Sequence, residues 1–270
     1  MGFLTDLVGT VRSDLAERPL DTARLDEALQ ARLPARPFAA ALRRSRRPSL
    51  VAEVKRASPS AGSIDETADP ATVAAAFVAG GAAAVSVLTE PRHFHGSLAD
   101  LEAVGSAVDV PVLRKDFLIE PTQVLEARAS GADSVLLIAS CLEGSLLDDL
   151  LAAARSLGME PLLETHSDRD LDRALATDAQ VIGVNARDLE TLSVDAPAAM
   201  ARLWRIPEDR VAVLESGIRS RADVIAATDA GASAVLVGET LMRAGDPVAT
   251  IRELFGADHG SVTEGRRAPA

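Results

Sequence analysis

The sequence contains no tyrosine and a single tryptophan, Trp204, and aromatic residues make up only 3% of its 270 positions. With 47% hydrophobic residues in all, the core must be aliphatic, built from Ala, Val and Leu, which suits parallel strands covered by helices. One cysteine is present, Cys141, which excludes an intramolecular disulfide and a cysteine-based metal cluster and reads as a small apolar filler. Positive charge is scarce: 28 Lys and Arg against 40 Asp and Glu give a formal net charge of -12. Nucleic acid is gripped by clustered cations, so it is not expected as a partner, although a small anion can still bind through local positive groups. No apolar run approaches the ~20 residues of a membrane span. The first 19 residues also lack the apolar stretch of a signal peptide, so a cytoplasmic protein with no membrane partner is expected. The opening Met-Gly matches a myristoylation site only weakly, because the sixth residue is Asp6. His93, His95, His166 and His259 show no metal-ligand spacing with supporting carboxylates, so neither a metal nor another cofactor is expected.

What is present is a recurring unit: a Gly-Ala step, a short β-branched run, a polar residue, then a helical stretch. It appears as GGAAAVSVLTE from Gly80, GADSVLLIAS from Gly131 and GASAVLVGE from Gly231. Between these lie VPVLRKDF, MEPLLETH, AQVIGVNARD and RVAVLESG, and SLVAEVKR stands in front at Ser49, giving eight apolar runs of strand length. Helical patterns follow each one: Ala71 to Val78, Leu98 to Ala107, Thr122 to Ala129, Glu143 to Leu157, Ser167 to Ala176, Ala196 to Leu203, Ser220 to Ala230 and Pro247 to Phe255. Eight alternating units of this length predict a single (β/α)8 barrel. A doubly wound sheet also alternates strand and helix, but its first strand usually runs into a glycine-rich turn, and here that strand runs into Glu53-Val54-Lys55-Arg56 with no GxGxxG anywhere. Two further helical patterns, Phe3 to Glu17 and Leu25 to Arg32, precede Pro34 and Pro37. The expected organisation is a helical extension over residues 1–45 packed on the barrel, the barrel over 46–256, and a disordered tail over 257–270.

Active sites of such barrels lie at the C-terminal ends of the strands. The residues that end the apolar runs are Glu53, Lys55, Lys115, Glu164, Asn185, Glu215 and Ser216. A lone Lys or Glu at a strand end is ordinarily a solvated loop residue. Five of eight strands ending in an ionisable or amide group fit that reading poorly, and unpaired charges are rarely buried, so these groups are expected to face one another across a shared cleft. Glu53 and Lys55 are two apart on a strand and share a face. Ser216-Gly217 follows the seventh strand and Gly238-Glu239 the eighth, where barrels often hold a phosphate on backbone N–H groups and a short extra helix. Ser58 and Ser60 in the first loop could add hydroxyl donors to that anion, although each of these features is also ordinary turn chemistry.

The segments VAEVKRASPS, SVLTE, FHGS, VLRKDF, LLETH, IGVNARDL, ESG and VLVGE resemble, in order and on all eight strands, those of indole-3-glycerol phosphate synthases. The resemblance covers roughly Phe3 to Phe255. It implies ring closure of 1-(2-carboxyphenylamino)-1-deoxyribulose 5-phosphate with loss of carbon dioxide and water. It further implies Lys115 as the principal general acid, Glu164 as its acid/base partner, and Lys55 with Glu53 as a second proton-handling pair. Asn185, Glu215 and Ser216 would contact ribulose hydroxyls or order the lysines. Ser58, Gly217, Gly238 and the backbone at Glu239 would hold the phosphate, while Phe94, Arg187, Leu137 and Leu236 would border the anthranilate ring. Two departures stand out: Ala61 replaces a loop lysine in SPSAG, and His95 precedes the Gly-Ser of the second loop.

The chemistry suits these groups, since charge develops on the attacked carbonyl oxygen and dehydration needs both an acid and a base. Whether burial lowers the lysine pKa or the glutamates raise it is left open by the sequence. The expected partner is a small phosphorylated substrate, and a monomer is expected. Two rival readings exist. Phosphoribosylanthranilate isomerase would share the phosphate site but call for a catalytic cysteine on the first strand, where Glu53 and Lys55 stand. A barrel that kept only phosphate binding would have no reason to keep the charged strand ends.

Overall fold

The Gly-Ala steps are the punctuation of the fold. Gly81, Gly131 and Gly231 adopt φ of 107°, 94° and 93°, a left-handed conformation that only glycine takes without strain, and each ends a helix and turns the chain into the next strand. At the opposite helix ends Asp69, Ser97, Ser167, Asp195, Ser220 and Asp246 accept backbone N–H groups of the first turn. In the computed structural model, which describes residues 2–17, 20–44 and 48–256, eight parallel strands close into a barrel. They are β1 (Ser49–Val54), β2 (Ala84–Leu88), β3 (Val112–Lys115), β4 (Ser134–Ile138), β5 (Leu162–Thr165), β6 (Val181–Asn185), β7 (Val211–Glu215) and β8 (Ala234–Val237). Each pairs with its sequence neighbours and β8 pairs with β1.

The helices are α1 (Phe3–Glu17), α2 (Thr22–Gln30), α3 (Phe38–Arg44), α4 (Pro70–Gly80), α5 (Leu98–Ala107), α6 (Pro121–Ala129), α7 (Leu146–Ser156), α8 (Asp168–Leu175), α9 (Ala196–Leu203), α10 (Arg221–Asp229), α11 (Glu239–Met242) and α12 (Pro247–Phe255). Three elements depart from the sequence reading. The helix expected from Glu143 begins at Leu146, after a 3-10 turn at Ala139–Cys141. The prolines at 34 and 37 are followed by α3, and the first loop carries a small hairpin pairing Ala57–Ser58 with Gly62–Ser63. The tail expected to be disordered, with His259, lies outside the described residues.

Strand periodicity sorts the core into two layers. Leu50, Ala52 and Val54 of β1, like Leu163 and Ile182, pack outward against the helices. Val51, Leu113, Leu136, Ile138, Leu162, Val181, Val213 and Leu236 fill the interior. Below them α3 closes the N-terminal end with Phe38, Ala39 and Leu42, all buried. Above, α1 lies over the opposite mouth, its Leu4 and Leu7 packed on the same interior cluster. Arg92 pairs with Asp14 at 2.7 Å and the ring of His93 meets Phe3 edge-on at 5.2 Å, which ties α1 to the loop after β2.

Candidate active site

The side chains one step above the interior layer are polar, because the same alternation that puts Val51, Leu113, Leu162 and Val213 inside puts Glu53, Lys115, Glu164 and Glu215 inside next. They floor a cleft of about 430 Å³ at the C-terminal ends of the strands. Lys115 Nζ lies 3.2 Å from Glu164 Oε2 and 3.2 Å from Glu215 Oε2, with both carboxyl side chains only 1% exposed. Burial opposes the lysine charge, but the carboxylate charge nearby, that of Glu164 first and then of Glu53, outweighs it, so its pKa rises above the usual lysine value and the group is an ammonium. The question left open by the sequence is thus decided by the carboxylates. Burial likewise opposes charge on Glu164, yet Lys115 and then His166 hold it below the usual carboxylate range. Glu215 goes the other way: burial and the adjacent Glu164 charge push it well above that range, so it is a neutral acid. On β1, Lys55 Nζ sits 2.8 Å from Glu53 Oε1, the same-face pair expected from their spacing.

Room for two of these carboxyls comes from missing side chains. A Cβ on Gly183 would stand 2.3 Å from Glu215 Oε1, and one on Gly238 would stand 2.3 Å from Glu53 Oε1. Gly238, expected to leave space for an anion, lines the cleft, and the nearest atom to a side chain placed there belongs to Glu53 of the inward polar layer. Above this floor, Asn185 Oδ1 accepts from Ser216 Oγ at 2.9 Å and from the Arg187 N–H at 3.0 Å, which leaves Nδ2 as a donor for a ligand. Ser216 and Gly217 both take positive φ, 67° and 86°, and Gly238 precedes α11, so the ends of β7 and β8 form one corner of the cleft with Glu239. Ser58 Oγ lies on the same wall and accepts from the Ala61 N–H at 3.1 Å. At the other side Phe94 packs against Phe117 with ring centres 6.3 Å apart, and Leu236 and Arg187 also line the cleft. The backbone that carries Phe94 is pinned by Glu90, whose carboxylate accepts the N–H groups of Arg92, His93 and Phe94.

Similarity to known proteins falls on this arrangement. The sequence profile of the indole-3-glycerol phosphate synthase family matches residues 4–254. The chain belongs to the indole-3-glycerol phosphate synthase family. It is 49% identical to the indole-3-glycerol phosphate synthase of Beutenbergia cavernae, covering 95% of this chain and 96% of that protein. The Mycobacterium avium synthase is 48% identical over 94% of each, and indole-3-glycerol phosphate synthase 1 of Streptomyces coelicolor is 46% identical over 98% of this chain and all of its own. Solved structures of 3-hexulose-6-phosphate synthase and of thiamine phosphate pyrophosphorylase from Pyrococcus furiosus superpose with TM-scores of 0.59 and 0.57 at 18% and 16% identity, which marks the shared barrel fold alone. The former covers 76% of this chain and 97% of its own, the latter 76% and 93%.

One residue assigned to the family's aromatic slot does not reach it. Leu137 is fully buried between β4 and the helices, because Leu136 and Ile138, in register with Leu162 and Glu164, are the inward residues of that strand. Those two line the cleft instead. The sequence reading also passed over Phe3 and Leu189, which close the cleft from α1 and the loop after β6, and Arg219 and Arg243 at the corner beyond β7 and β8. Where the family's loop lysine is missing, Arg243 donates to the Ala61 carbonyl at 3.4 Å. His95, the second departure, takes φ of 55° and lies 3.4 Å from Glu66 of the first loop. Cys141 is half-buried against both core layers, and burial with the nearby Glu164 charge pushes its thiol up to about 12, so it is a neutral filler.

Proposed function

We propose that this cleft carries out the family's reaction, closing 1-(2-carboxyphenylamino)-1-deoxyribulose 5-phosphate to indole-3-glycerol phosphate with release of carbon dioxide and water. The observation that carries the assignment is Lys115, an ammonium clamped between two carboxyls from two other strands at the cleft floor. The substrate's phosphate sits at the corner of Gly217, Gly238 and the Glu239 backbone, with Ser58, Arg219 and Arg243 beside it. Its anthranilate ring lies in the slot of Phe94, Leu236 and Arg187, with Leu136 and Ile138 in the place first given to Leu137. Fixing both ends brings the ring carbon onto the C2' carbonyl, and Lys115 donates its proton to the oxygen as charge develops there. Loss of carbon dioxide restores the aromatic ring. Lys55 with Glu53 supplies the acid for the departing hydroxyl and Glu164 takes the remaining proton, while Glu215 orders Lys115 and Asn185 and Ser216 hold the sugar hydroxyls.

In this reading residues 1–45 act as a packed extension whose α1 roofs the site, and the chain works as a cytoplasmic monomer. Among the described residues no helix is long and apolar enough to cross a membrane. The test is formation of the fluorescent indole product by the purified chain from that substrate, with no metal or nucleotide added and with EDTA present. Turnover that required an added metal would overturn the mechanism, and no turnover at all would overturn the assignment.

A further inference from the structure

Beside the Lys115 cluster stands a histidine that the steps above do not use. His166 follows β5, two residues after Glu164, and its Nε2 lies 3.1 Å from Glu164 Oε1. The other oxygen of the same carboxylate, Oε2, is the one that meets Lys115 at 3.2 Å. Both imidazole nitrogens are out of solvent and neither has a hydrogen-bond partner of good geometry among the described residues, so the approach of Nε2 to Glu164 Oε1 at 3.1 Å is a close contact that a small turn of the ring brings into line. An imidazole nitrogen and a carboxylate oxygen at 3.1 Å repel one another unless a proton lies between them. With nothing at Nδ1 to compete for that proton, the ring carries it on Nε2. The backbone fixes where the ring stands, because the His166 N–H donates to Asp170 Oδ2, the carboxylate that caps α8.

We infer that His166 is a positioning residue for the reaction: its Nε2–H holds one oxygen of Glu164 so that the other stays aimed at Lys115 and the substrate. This rests on Glu164 being the base of the proposed mechanism. The arrangement is a carboxylate gripped from both sides, and removing one grip lets it rotate about its last bond or take up a proton. The groups around the imidazole are Glu164 on its own strand, Lys115 and Glu215 beyond it, Cys141 after β4, Asp170 at α8 and Asp188 after β6. Of these Cys141 and Glu215 are neutral, so the field at the ring is set by Glu164 and Lys115 at close range and by the two aspartates.

The test compares His166→Leu, which keeps bulk without a donor, with His166→Gln, which returns an N–H, and with Glu164→Gln as the control. A hydrogen bond to a charged group predicts a fall in kcat of roughly tenfold or more for the leucine variant, with KM within about twofold and the acid limb of the kcat profile moved to higher pH. The glutamine variant should recover most of the loss. Wild-type kcat and acid limb in a folded His166→Leu, or equal loss in both variants, would overturn the inference. If the leucine variant does not fold, the nitrogen chemical shifts of the wild-type ring, assigned by their disappearance in His166→Gln, decide instead: a proton on Nδ1 alone refutes it. Substantial turnover in Glu164→Gln would remove the base itself, and with it both readings, whereas an inactive Glu164→Gln beside a fully active His166→Leu would remove only this one.

Discussion

The two ends of the barrel use the same charged residue types in opposite ways. At the N-terminal end, Asp133 accepts from the Arg36 backbone at 2.8 Å, the Arg36 side chain at 2.7 Å and the Val112 N–H at 2.9 Å. Glu160 there accepts the Ala39 N–H at 2.8 Å, and Arg128 donates to the carbonyls of Leu33 and Ala132. At the C-terminal end, the buried side-chain atoms without a hydrogen-bond partner are Ser86 Oγ, both nitrogens of His166 and both oxygens of Glu215, and these are all such atoms among the described residues. Buried polar groups are normally satisfied, so exceptions gathered around the inward polar layer, with Glu215 on the cleft itself, mark the end of the barrel whose bonding is left incomplete. Charges that bind backbone hold the barrel together, and charges that bind mainly one another are held ready for chemistry.

The comparison predicts mutations that separate activity from stability. Lys115→Ala should lower kcat by at least ~100-fold, the range of a lost general acid, while the melting temperature stays near that of the parent. Steady-state kinetics with a thermal melt checks this, and near-native turnover would take Lys115 out of the mechanism. Asp133→Ala should do the reverse, destabilising the chain by about 2–3 kcal/mol because three donors lose a buried charged acceptor, with kcat per folded molecule unchanged. A denaturant titration that left the midpoint in place would break the division between the ends.

Gly238→Val tests a position where both functions meet. Its Cβ must displace the Glu53 carboxyl, so kcat should fall about tenfold or more alongside any rise in KM, and inorganic phosphate should still compete. A rise in KM alone, with weakened phosphate inhibition, would return Gly238 to a purely anion-binding role.

Glu215→Gln sharpens the contrast with the smallest effect. Because the folded-state pKa of Glu215 is raised, the native chain holds a proton that the unfolded chain has released, and stability falls as pH rises from about the ordinary value of 4.5. The slope is at most about 1.4 kcal/mol per pH unit. Glutamine keeps the neutral shape without a titrating proton, so melts across this range should be flatter for the variant than for the parent. Parallel curves would show that Glu215 is ionised in the native chain.

Much of this contrast was legible in the sequence. The eight strands and the bounds of α5, α9 and α12 followed from apolar periodicity and caps, and Glu53 with Lys55 from i, i+2 spacing. The same spacing links Glu164 to His166, and it was passed over because a lone histidine was weighed only as a metal ligand. Leu137 was set on the wrong face because the run 135–138 is apolar and buried throughout, so no change in polarity reports its alternation there, and only its register with β5 does. The seven residues of α3 are too few for a helical period, and the end-plug they form is a tertiary fact.

The bare positions 183 and 238 have a consequence for anyone who recasts this barrel for another substrate. Each behaves as half of a two-residue unit, 183 with 215 and 238 with 53, since the volume absent from one member is occupied by the carboxyl of the other. Single substitutions at either glycine should therefore fail in a screen, while paired exchanges that shorten the acid as they lengthen the glycine can succeed. The inner wall evolves, or is redesigned, in couples.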